Sequence, residues 1–458
     1  MEDDIQHLDH ITKSMDKKKL DSQIDIIKRA SEVAQHKMDY ESAHDEGVLL
    51  SIEVIEEFLK KKHRLCYGGQ AINAHLPKKY KIYDPELSIP DYDFFTPDQD
   101  KDVNDIVNML KEEGFQEIAV REGMHEGTRK IYVDFIPVAD ITAIQPKIYR
   151  ALFNRSFKSE EGISYLDANT LRMLMYLELS RPKGEVTRWT KVYERLALFN
   201  EFVSHKGVDC VSRPAFKSKM FTSQINATMN YMIEKKYIFA GADLVPFYDA
   251  AVKSEKIQVE WMIRSNTPII FFTPEPDQDA AWIAERFAIL DREAREFKKG
   301  PKERAKGRPK KFRIKTYMSS GLDIIPSMNI VVQGKNALVF LVHSSACHSF
   351  LNIPFKDSTI YTGQMMRVAT MDTLISLYFS MGFIKTKFFD MNSISCLANQ
   401  LVHLNIMRRD KGEDHRLPFV SLKCAGHQTS LPSLIRAKVE RITAKKRVTT
   451  KRYRTMRR

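Results

Sequence analysis

The hydrophobic pattern becomes regular in the first quarter of the chain, at Val48, Ile52, Ile55 and Leu59. Steps of four, three and four place these side chains on one face of a helix. The short run 64–67 that follows is apolar enough for a strand, and Gly68-Gly69 interrupts it. The pattern therefore predicts a helix, a strand and a tight turn in that order.

Alternation and helical spacing continue for another 70 residues. A strand is predicted around Asp91, and a helix is predicted from the apolar positions Val103, Ile106 and Leu110. Two further strands are predicted at 116–121 and 130–136. Helices and neighbouring strands in this order favour the α+β class.

Helical spacing returns from Asp167 to about Ser204, which predicts a helical subdomain. The predicted organisation has five parts: a helical N-terminal extension at 1–45, a catalytic domain at 46–150, a helical subdomain at 151–246, a C-terminal domain at 247–435 and a basic tail at 436–458.

A local echo links the second and fourth parts. The sequence Phe-Phe-Thr-Pro occurs at Phe94–Pro97 and again at Phe271–Pro274, each time before a helical pattern. Placing Phe271 on Phe94 puts Ile270 and Pro268 where Asp93 and Asp91 stand. We therefore predict a duplicated fold whose second copy lacks the carboxylates.

The candidate chemistry lies in Asp91 and Asp93. Alternate residues of a strand point to the same face, so these two carboxylates are expected to lie close together. Like charges at that distance raise each other's pKa unless a cation lies between them, and Mg²⁺ or Mn²⁺ prefers oxygen ligands. Asp134 is predicted as the third ligand, because it is the one acid in the apolar run 130–136.

Gly68 and Gly69 are predicted to hold phosphate oxygens through backbone N–H groups at a helix N-terminus. Tyr67 is also assigned to the nucleotide site, where it could stack on the base, although packing in the core is the favoured role for its ring. Either motif alone is weak, since Gly-Gly is common in plain turns and acidic pairs are usually solvated. The ordered set of Gly-Gly, Asp-x-Asp and a strand aspartate is more specific. It predicts transfer of a nucleotidyl group, with two metal ions at the phosphoryl centre.

Charge is concentrated in two segments of a chain with a net charge of +13. Residues 298–315 hold ten Lys or Arg against one acid, and residues 436–458 hold eleven against one. Such segments favour a polyanion partner, nucleic acid first, although a solvated loop and tail would have the same composition.

Five cysteines with no Cys-x-x-Cys pair predict reduced thiols, and a metal site at His343, Cys347 and His348 is disfavoured. No apolar run is long enough for a membrane span, and the first residues do not resemble a secretory signal. We therefore expect a soluble intracellular protein with no membrane partner.

The motifs Tyr67–Asn73, Pro90–Phe95 and Val133–Phe135 together resemble the polymerase-beta-type nucleotidyltransferase superfamily. More narrowly, they resemble the poly(A) polymerase catalytic subunit of poxviruses and giant DNA viruses. The resemblance implies template-independent addition of adenylates from ATP to RNA 3′ ends, with Mg²⁺ or Mn²⁺ bound by Asp91, Asp93 and Asp134. Gln70 is a departure, because many members of the superfamily have Ser at or near this position.

The resemblance also implies a degenerate nucleotidyltransferase-like domain at the C-terminus, in agreement with the echo at Phe271. It further implies a viral protein that acts in the host cytoplasm, with packaging in the virion as an additional expectation. Poxvirus members work with a separate processivity subunit and giant-virus members resemble self-sufficient homodimers; the basic tail favours the homodimer. Other nucleotidyltransferase reactions remain rivals: uridylyl or CCA addition to RNA, or modification of a small molecule or protein. A non-catalytic RNA-binding protein is the rival from another class.

Overall fold

The computed structural model describes residues 17–84, 87, 89–205, 215–253, 263–297, 310–317, 324–354, 364–412 and 417–456. The described residues form two mixed sheets and 13 α-helices. The predicted α+β class is confirmed.

The first unit contains the elements α1 (Lys17–Ala43), α2 (Glu46–Lys62), β1 (Leu65–Tyr67), α3 (Gly68–His75), β2 (Tyr92–Thr96), α4 (Gln99–Glu112), β3 (Ile118–Glu122), β4 (Thr128–Val133), β5 (Ile136–Ala143), α5 (Pro146–Phe153), β6 (Phe157–Lys158), β7 (Ser164–Tyr165), α6 (Ala168–Leu179) and α7 (Trp189–Phe202). The four apolar positions predicted for the first helical face, Val48, Ile52, Ile55 and Leu59, are all buried in α2. Asp45 caps α2 by accepting a hydrogen bond from the Val48 N–H at 2.9 Å.

The second unit contains the elements α8 (Thr222–Glu234), β8 (Ile238–Phe239), α9 (Leu244–Lys253), β9 (Ile269–Thr273), α10 (Pro276–Phe297), β10 (Phe312–Tyr317), β11 (Met328–Gln333), β12 (Asn336–His343), β13 (His348–Pro354), β14 (Met365–Ala369), α11 (Met371–Met381), α12 (Met391–Asp410), β15 (Cys424–Ala425) and α13 (Leu431–Met456).

The two sheets repeat one topology. The first has the order β3-β4-β5-β2-β1-β7-β6, and the second has the order β10-β11-β12-β9-β8-β14-β13, followed by β15. Corresponding pairs run in the same sense, since β2 is parallel to β5 as β9 is parallel to β12. A register shift interrupts β4–β5 between Ile131 and Tyr132, and another interrupts β11–β12 between Val331 and Val332. The described strands thus repeat the fold in the way that the Phe-Phe-Thr-Pro echo predicts.

A buried hydrogen-bonded pair, which we call the Thr–Asp clasp, recurs in both units. Thr96 at the end of β2 donates its hydroxyl proton to Asp102 of α4, and Thr273 at the end of β9 donates to Asp279 of α10. The clasp fixes the strand to the helix that follows it. The aspartate of the clasp also accepts hydrogen bonds from other side chains, and these additional donors differ between the two units.

In the first unit the partner of the clasp is a cation. Arg64 donates to both oxygens of Asp102 at 2.6 and 2.8 Å. In the second unit the partners of Asp279 are two phenols, Tyr231 at 2.6 Å and Tyr237 at 3.3 Å. Both aspartates are buried, so each needs these donors to offset its loss of hydration.

The units share one hydrophobic core. At their junction the Ser349 N–H donates to the Ser180 carbonyl at 2.9 Å, and Arg155 donates to the Gly382 carbonyl at 2.5 Å. The first sheet extends to Tyr165, and the second begins at Ile238. The predicted domain limits at 150 and 247 therefore each cut through a sheet, because the short strands β6 to β8 carry no sequence signal of their own.

The prediction of reduced thiols is wrong for at least three of the five cysteines. Cys347 and Cys424 form a disulfide across 77 residues, and Cys396 is also disulfide-bonded, whereas Cys66 is free and buried. The antiparallel pairing of β13 with β15 brings Cys347 and Cys424 together, and spacing along the chain does not reveal it. His348 is buried against the Phe272 ring at 4.4 Å, which fits the predicted structural role.

No helix in the described ranges is both long enough and apolar enough to cross a membrane.

The two clasps generate a prediction about stability. Asp102→Asn should leave the Arg64 guanidinium without its anion and lower the free energy of unfolding by about 2 kcal/mol. Asp279→Asn is the matched control, and it should cost about 1 kcal/mol because its outer donors are neutral. Urea unfolding of both variants at 25 °C measures the difference, and an equal or larger loss for Asp279→Asn would contradict the account.

Candidate active site

Two carboxylates are neighbours where β2 lies beside β5, and a third immediately precedes β2. Asp93 of β2 and Asp140 of β5 are partners in the parallel register, and Asp91 lies just before β2. Burial, followed by the charge on Asp140, raises the pKa of Asp91. Burial, together with the charges on Asp91 and Asp140, raises the pKa of Asp93 to about 7. The charge on Asp140 therefore acts on both Asp91 and Asp93, and the charge on Asp91 acts on Asp93.

Asp134 is not placed at this site, so the predicted third carboxylate needs correction. Asp134 and Phe135 form the turn between β4 and β5, with φ values of 48 and 67°, and both are exposed. Two residues with positive φ suit the twist of a tight hairpin. The alternation at 131–133 does not continue through the turn, and the acid that faces Asp93 is Asp140. The signal that could have found it is the apolar run Val138–Ile141, which contains one acid.

Gly68 makes room for the Asp93 carboxylate. It follows β1 directly, opens α3 and has a φ of +70°. A Cβ at this position would collide with Asp93 Oδ2. The strand–Gly-Gly–helix order predicted from the sequence is thus observed, and it places the N-terminal end of α3 beside the carboxylates.

Gly69 is closely covered by Tyr83, which no sequence motif indicates. A Cβ on Gly69 would collide with the Tyr83 hydroxyl, which accepts a hydrogen bond from Arg195 Nη2 at 2.7 Å. Tyr83 therefore connects the glycine turn to α7.

Tyr67 supports the site from within the sheet. Its ring stacks on Phe95 with centroids 4.1 Å apart, and its hydroxyl shares a hydrogen bond of 2.9 Å with the Thr142 hydroxyl. These contacts engage both the ring and the phenol. The nucleotide contact of Tyr67 therefore stays a prediction, since both its ring and its hydroxyl already have partners within the sheet.

Positive charge surrounds the carboxylates. Lys130 Nζ pairs with Asp140 Oδ2 at 2.5 Å, and the charges of Lys191 and Arg188 act on Asp91 and Asp93. Arg195, partial burial and Arg188 lower the pKa of Lys191, as expected where cations crowd together. Helical spacing of 188, 191 and 195 is the sequence signal for this cationic row at the start of α7.

The donor set fits a divalent metal ion. Oxygen ligands from carboxylates suit Mg²⁺ and Mn²⁺, and Asp140 Oδ1 is buried without a hydrogen-bond partner. In the described part of the chain, no three acidic, His or Cys side chains converge on one point as an assembled metal site would. Lys130 engages the other oxygen of Asp140, Oδ2, in an ion pair.

A carboxylate pair across β2 and β5, beside a Gly-Gly turn that opens a helix, belongs to a nucleotidyltransferase-type fold. Residues 53–185 match the family described as poly(A) polymerase catalytic subunit, which includes every acidic and glycine residue of this site. The resemblance inferred from the motifs is confirmed for this region.

Proteins similar to this chain come from large DNA viruses. A putative poly(A) polymerase catalytic subunit of African swine fever virus is 32% identical over 109 residues, which are 24% of this chain and 23% of that protein. The protein of the same description from Acanthamoeba polyphaga mimivirus is 26% identical over 230 residues, 48% of this chain and 38% of that one. The matches thus span well under half of these curated relatives.

A solved structure resembles the fold over most of its length. The crystal structure of the Megavirus polyadenylate synthase aligns with a TM-score of 0.66 at 16% identity, covering 93% of this chain and 83% of that one. At this identity the match supports the fold alone, and it extends through the second unit.

The raised pKa of Asp93 generates a prediction for the metal-free protein. Because the folded-state pKa lies above the ordinary value of 3.8, the ionised carboxylate destabilises the fold increasingly as pH rises from about 4 to about 7. Asp93→Asn removes this cost, so with EDTA its melting temperature should exceed that of the wild type by a margin that grows over this range.

Asp134→Asn is the control, since it changes an exposed turn acid in a conformation that Asn tolerates. A margin that grows with pH as much for Asp134→Asn as for Asp93→Asn would contradict this account. Added Mn²⁺ should stabilise the wild type more than Asp93→Asn, and equal stabilisation of both would argue against a metal ligand at Asp93.

Proposed function

We propose that this protein is a template-independent poly(A) polymerase that transfers adenylates from ATP to RNA 3′ ends. The observation that carries the proposal is the contact of Asp93 with the Gly68 turn, with Asp140 opposite Asp93 in the register and Asp91 two residues before it. The family match over residues 53–185 supports the choice of reaction.

In this proposal Asp91, Asp93 and Asp140 hold Mg²⁺ or Mn²⁺, which would neutralise charge at the reacting phosphate. The RNA 3′ oxygen forms a bond to the α-phosphorus of ATP, the bond from that phosphorus to the β-phosphate oxygen breaks, and pyrophosphate leaves. The proton of the 3′ hydroxyl passes to a carboxylate. Asp140 is the candidate acceptor because its Oδ1 is buried and has no other partner.

The triphosphate is assigned to two groups of donors. Backbone N–H groups at Gly68 and Gly69 open α3 and suit phosphate oxygens. Arg188, Lys191 and Arg195 supply positive charge from α7, and their effect on the pKa values of the acids and of Lys191 supports a shared electrostatic field.

The rivals differ in what the site would do. Uridylyl or CCA addition uses the same metal chemistry with another nucleotide, and modification of a small molecule or protein uses another acceptor. A non-catalytic RNA-binding protein would gain nothing from Asp93, whose charged form is disfavoured by burial and by its acidic neighbours. An unneeded cost of this kind is better explained by a cation site.

Primer extension tests the reaction. An end-labelled RNA oligonucleotide with Mn²⁺ or Mg²⁺ and each nucleoside triphosphate in turn should give a ladder with ATP alone. Asp91→Asn and Asp140→Asn should lower the rate by at least about a thousandfold, as expected for loss of electrostatic stabilisation at the transferred group.

Asp134→Asn is the matched control and should extend the primer at nearly the wild-type rate. Strong loss in Asp134→Asn with near-normal tailing by Asp140→Asn would reverse our assignment. A ladder with UTP or with CTP and ATP together would identify a rival reaction, and no ladder with any nucleotide would overturn the enzymatic proposal.

The basic tail is proposed to hold RNA. Helix α13 contains most of the segment 436–458, and Arg441 Nη2 donates to the Met124 carbonyl at 3.2 Å, between β3 and β4 of the catalytic unit. The described part of α13 is thus anchored beside the hairpin that carries Lys130.

A chain ending at Thr443 keeps this anchor and loses eight Lys or Arg residues. Its RNA affinity should fall, and the slope of log affinity against log salt should become shallower by about 0.7 for each lost phosphate contact. Fluorescence anisotropy with labelled oligo(A) measures both. A slope equal to that of the full chain would show that the removed residues do not contact phosphates.

The homodimer, action in the host cytoplasm and packaging in the virion remain proposals that rest on the resemblance to viral proteins.

A further inference from the structure

In the second unit, apolar side chains occupy the positions that correspond to the carboxylates of the first unit. Ile270 and Phe340 are partners in the β9–β12 register, as Asp93 and Asp140 are in β2–β5. The Phe340 ring packs against Phe216 at 5.7 Å. All these apolar side chains are buried, so the position that corresponds to the active site is closed.

A second ring completes the closure. Phe389 packs against Phe340 at 6.0 Å and against Phe216 at 6.2 Å, and Phe216 and Phe389 form an isolated β-bridge. We call the segments 215–220 and 386–390 the plug. The second unit therefore has the same fold as the first, but aromatic rings fill the position that corresponds to the acidic site, and the plug forms a continuous surface there.

The outer side of the plug is basic. Lys217 and Lys387 are exposed next to the buried rings, and Lys335 is exposed in the turn between β11 and β12. Backbone hydrogen bonds bring these segments together, because Lys217 N donates to the Phe388 carbonyl at 3.1 Å and Ala337 N donates to the Lys217 carbonyl at 2.8 Å. The three lysines thus belong to one rigidly connected surface.

The positive surface continues in two directions. Lys315 lies exposed on the edge strand β10, whose Tyr317 hydroxyl is 3.0 Å from the Thr386 hydroxyl of the plug. Lys385 lies exposed on the other side, next to the junction where Arg155 packs over the Phe383 ring at 4.6 Å. The surface therefore reaches from the edge of the second sheet to the catalytic unit.

These cations are not neutralised by the fold. Among the residues that the structure describes, none of Lys217, Lys315, Lys335, Lys385 and Lys387 forms a salt bridge. Scattered lysines are ordinary on a surface, but Lys217, Lys335, Lys385 and Lys387 lie on one connected patch of a chain whose charge outside the two basic segments is net negative. Lys315 is the last residue of the first basic segment, whose Lys310 and Lys311 immediately precede β10.

We propose that Lys217 and Lys387 of the plug, with the neighbouring Lys335, Lys385 and Lys315, bind the phosphate backbone of single-stranded RNA upstream of the 3′ end. Several phosphates spaced along one strand would each meet a separate lysine and release counterions. The sequence of the RNA is not read, since an ammonium group contacts phosphate as a point charge. This proposal rests on the proposed function, because that function makes RNA the polyanion at hand.

The test compares two charge-matched triple variants of the full chain. Lys217→Gln, Lys335→Gln and Lys387→Gln are combined in one, and the control combines Lys101→Gln, Lys111→Gln and Lys147→Gln at exposed positions of the catalytic unit. Anisotropy is measured with a long oligo(A) and with a short one that fills only the 3′-end site. For the plug variant the salt slope with the long RNA should fall by about 2, as three lost single-strand contacts require.

Binding and extension of the short RNA should be unchanged in the plug variant, and the control should keep the wild-type slope. An unchanged slope for the plug variant, or an equal loss in the control, would overturn the proposal, and an acidic protein would then be the better partner for this surface. Extension of the short primer by the wild type reports on the proposed function separately. If that extension fails while the slope changes, the surface binds RNA and the enzymatic proposal alone is lost.

Discussion

The register between β2 and β5 is the constraint on which the active-site chemistry depends. It sets the half-buried Asp93 opposite the buried Asp140 inside a largely apolar sheet, where two negative charges repel each other. Positive charges offset that repulsion. Lys130 pairs with Asp140, and cations at the start of α7 act on Asp91 and Asp93. The acids in this site suit a ligand that brings a cation, and the basic residues around them suit its phosphate groups.

The second unit shows what the same framework becomes without that repulsion. Ile270 and Phe340 occupy the register positions of the acids, and aromatic rings close over them. Apolar packing in their place stabilises the sheet without any partner. The strand order and the register shift in the β11–β12 hairpin persist, so the topology does not depend on the acidic residues.

Periodicity and motif order predict much of this architecture. The face of α2, the Gly68 turn and the repeat at Phe271 all follow from residues close together in the chain. The third carboxylate does not, because a hairpin with positive φ at two non-glycine residues interrupts the alternation that pointed to Asp134. Pairing between distant segments also determines the disulfide at Cys347, and local spacing contains no trace of such pairing.

The Thr–Asp clasp has a consequence beyond stability. The chain contains two copies of one fold, so the residues at equivalent positions of the copies can be compared directly. Where the copies agree, as at Thr96 and Thr273, the shared residue answers to the geometry of a strand joined to a helix. Where they differ at equivalent positions, as at Asp93 and Ile270, the difference identifies residues that the fold itself does not require.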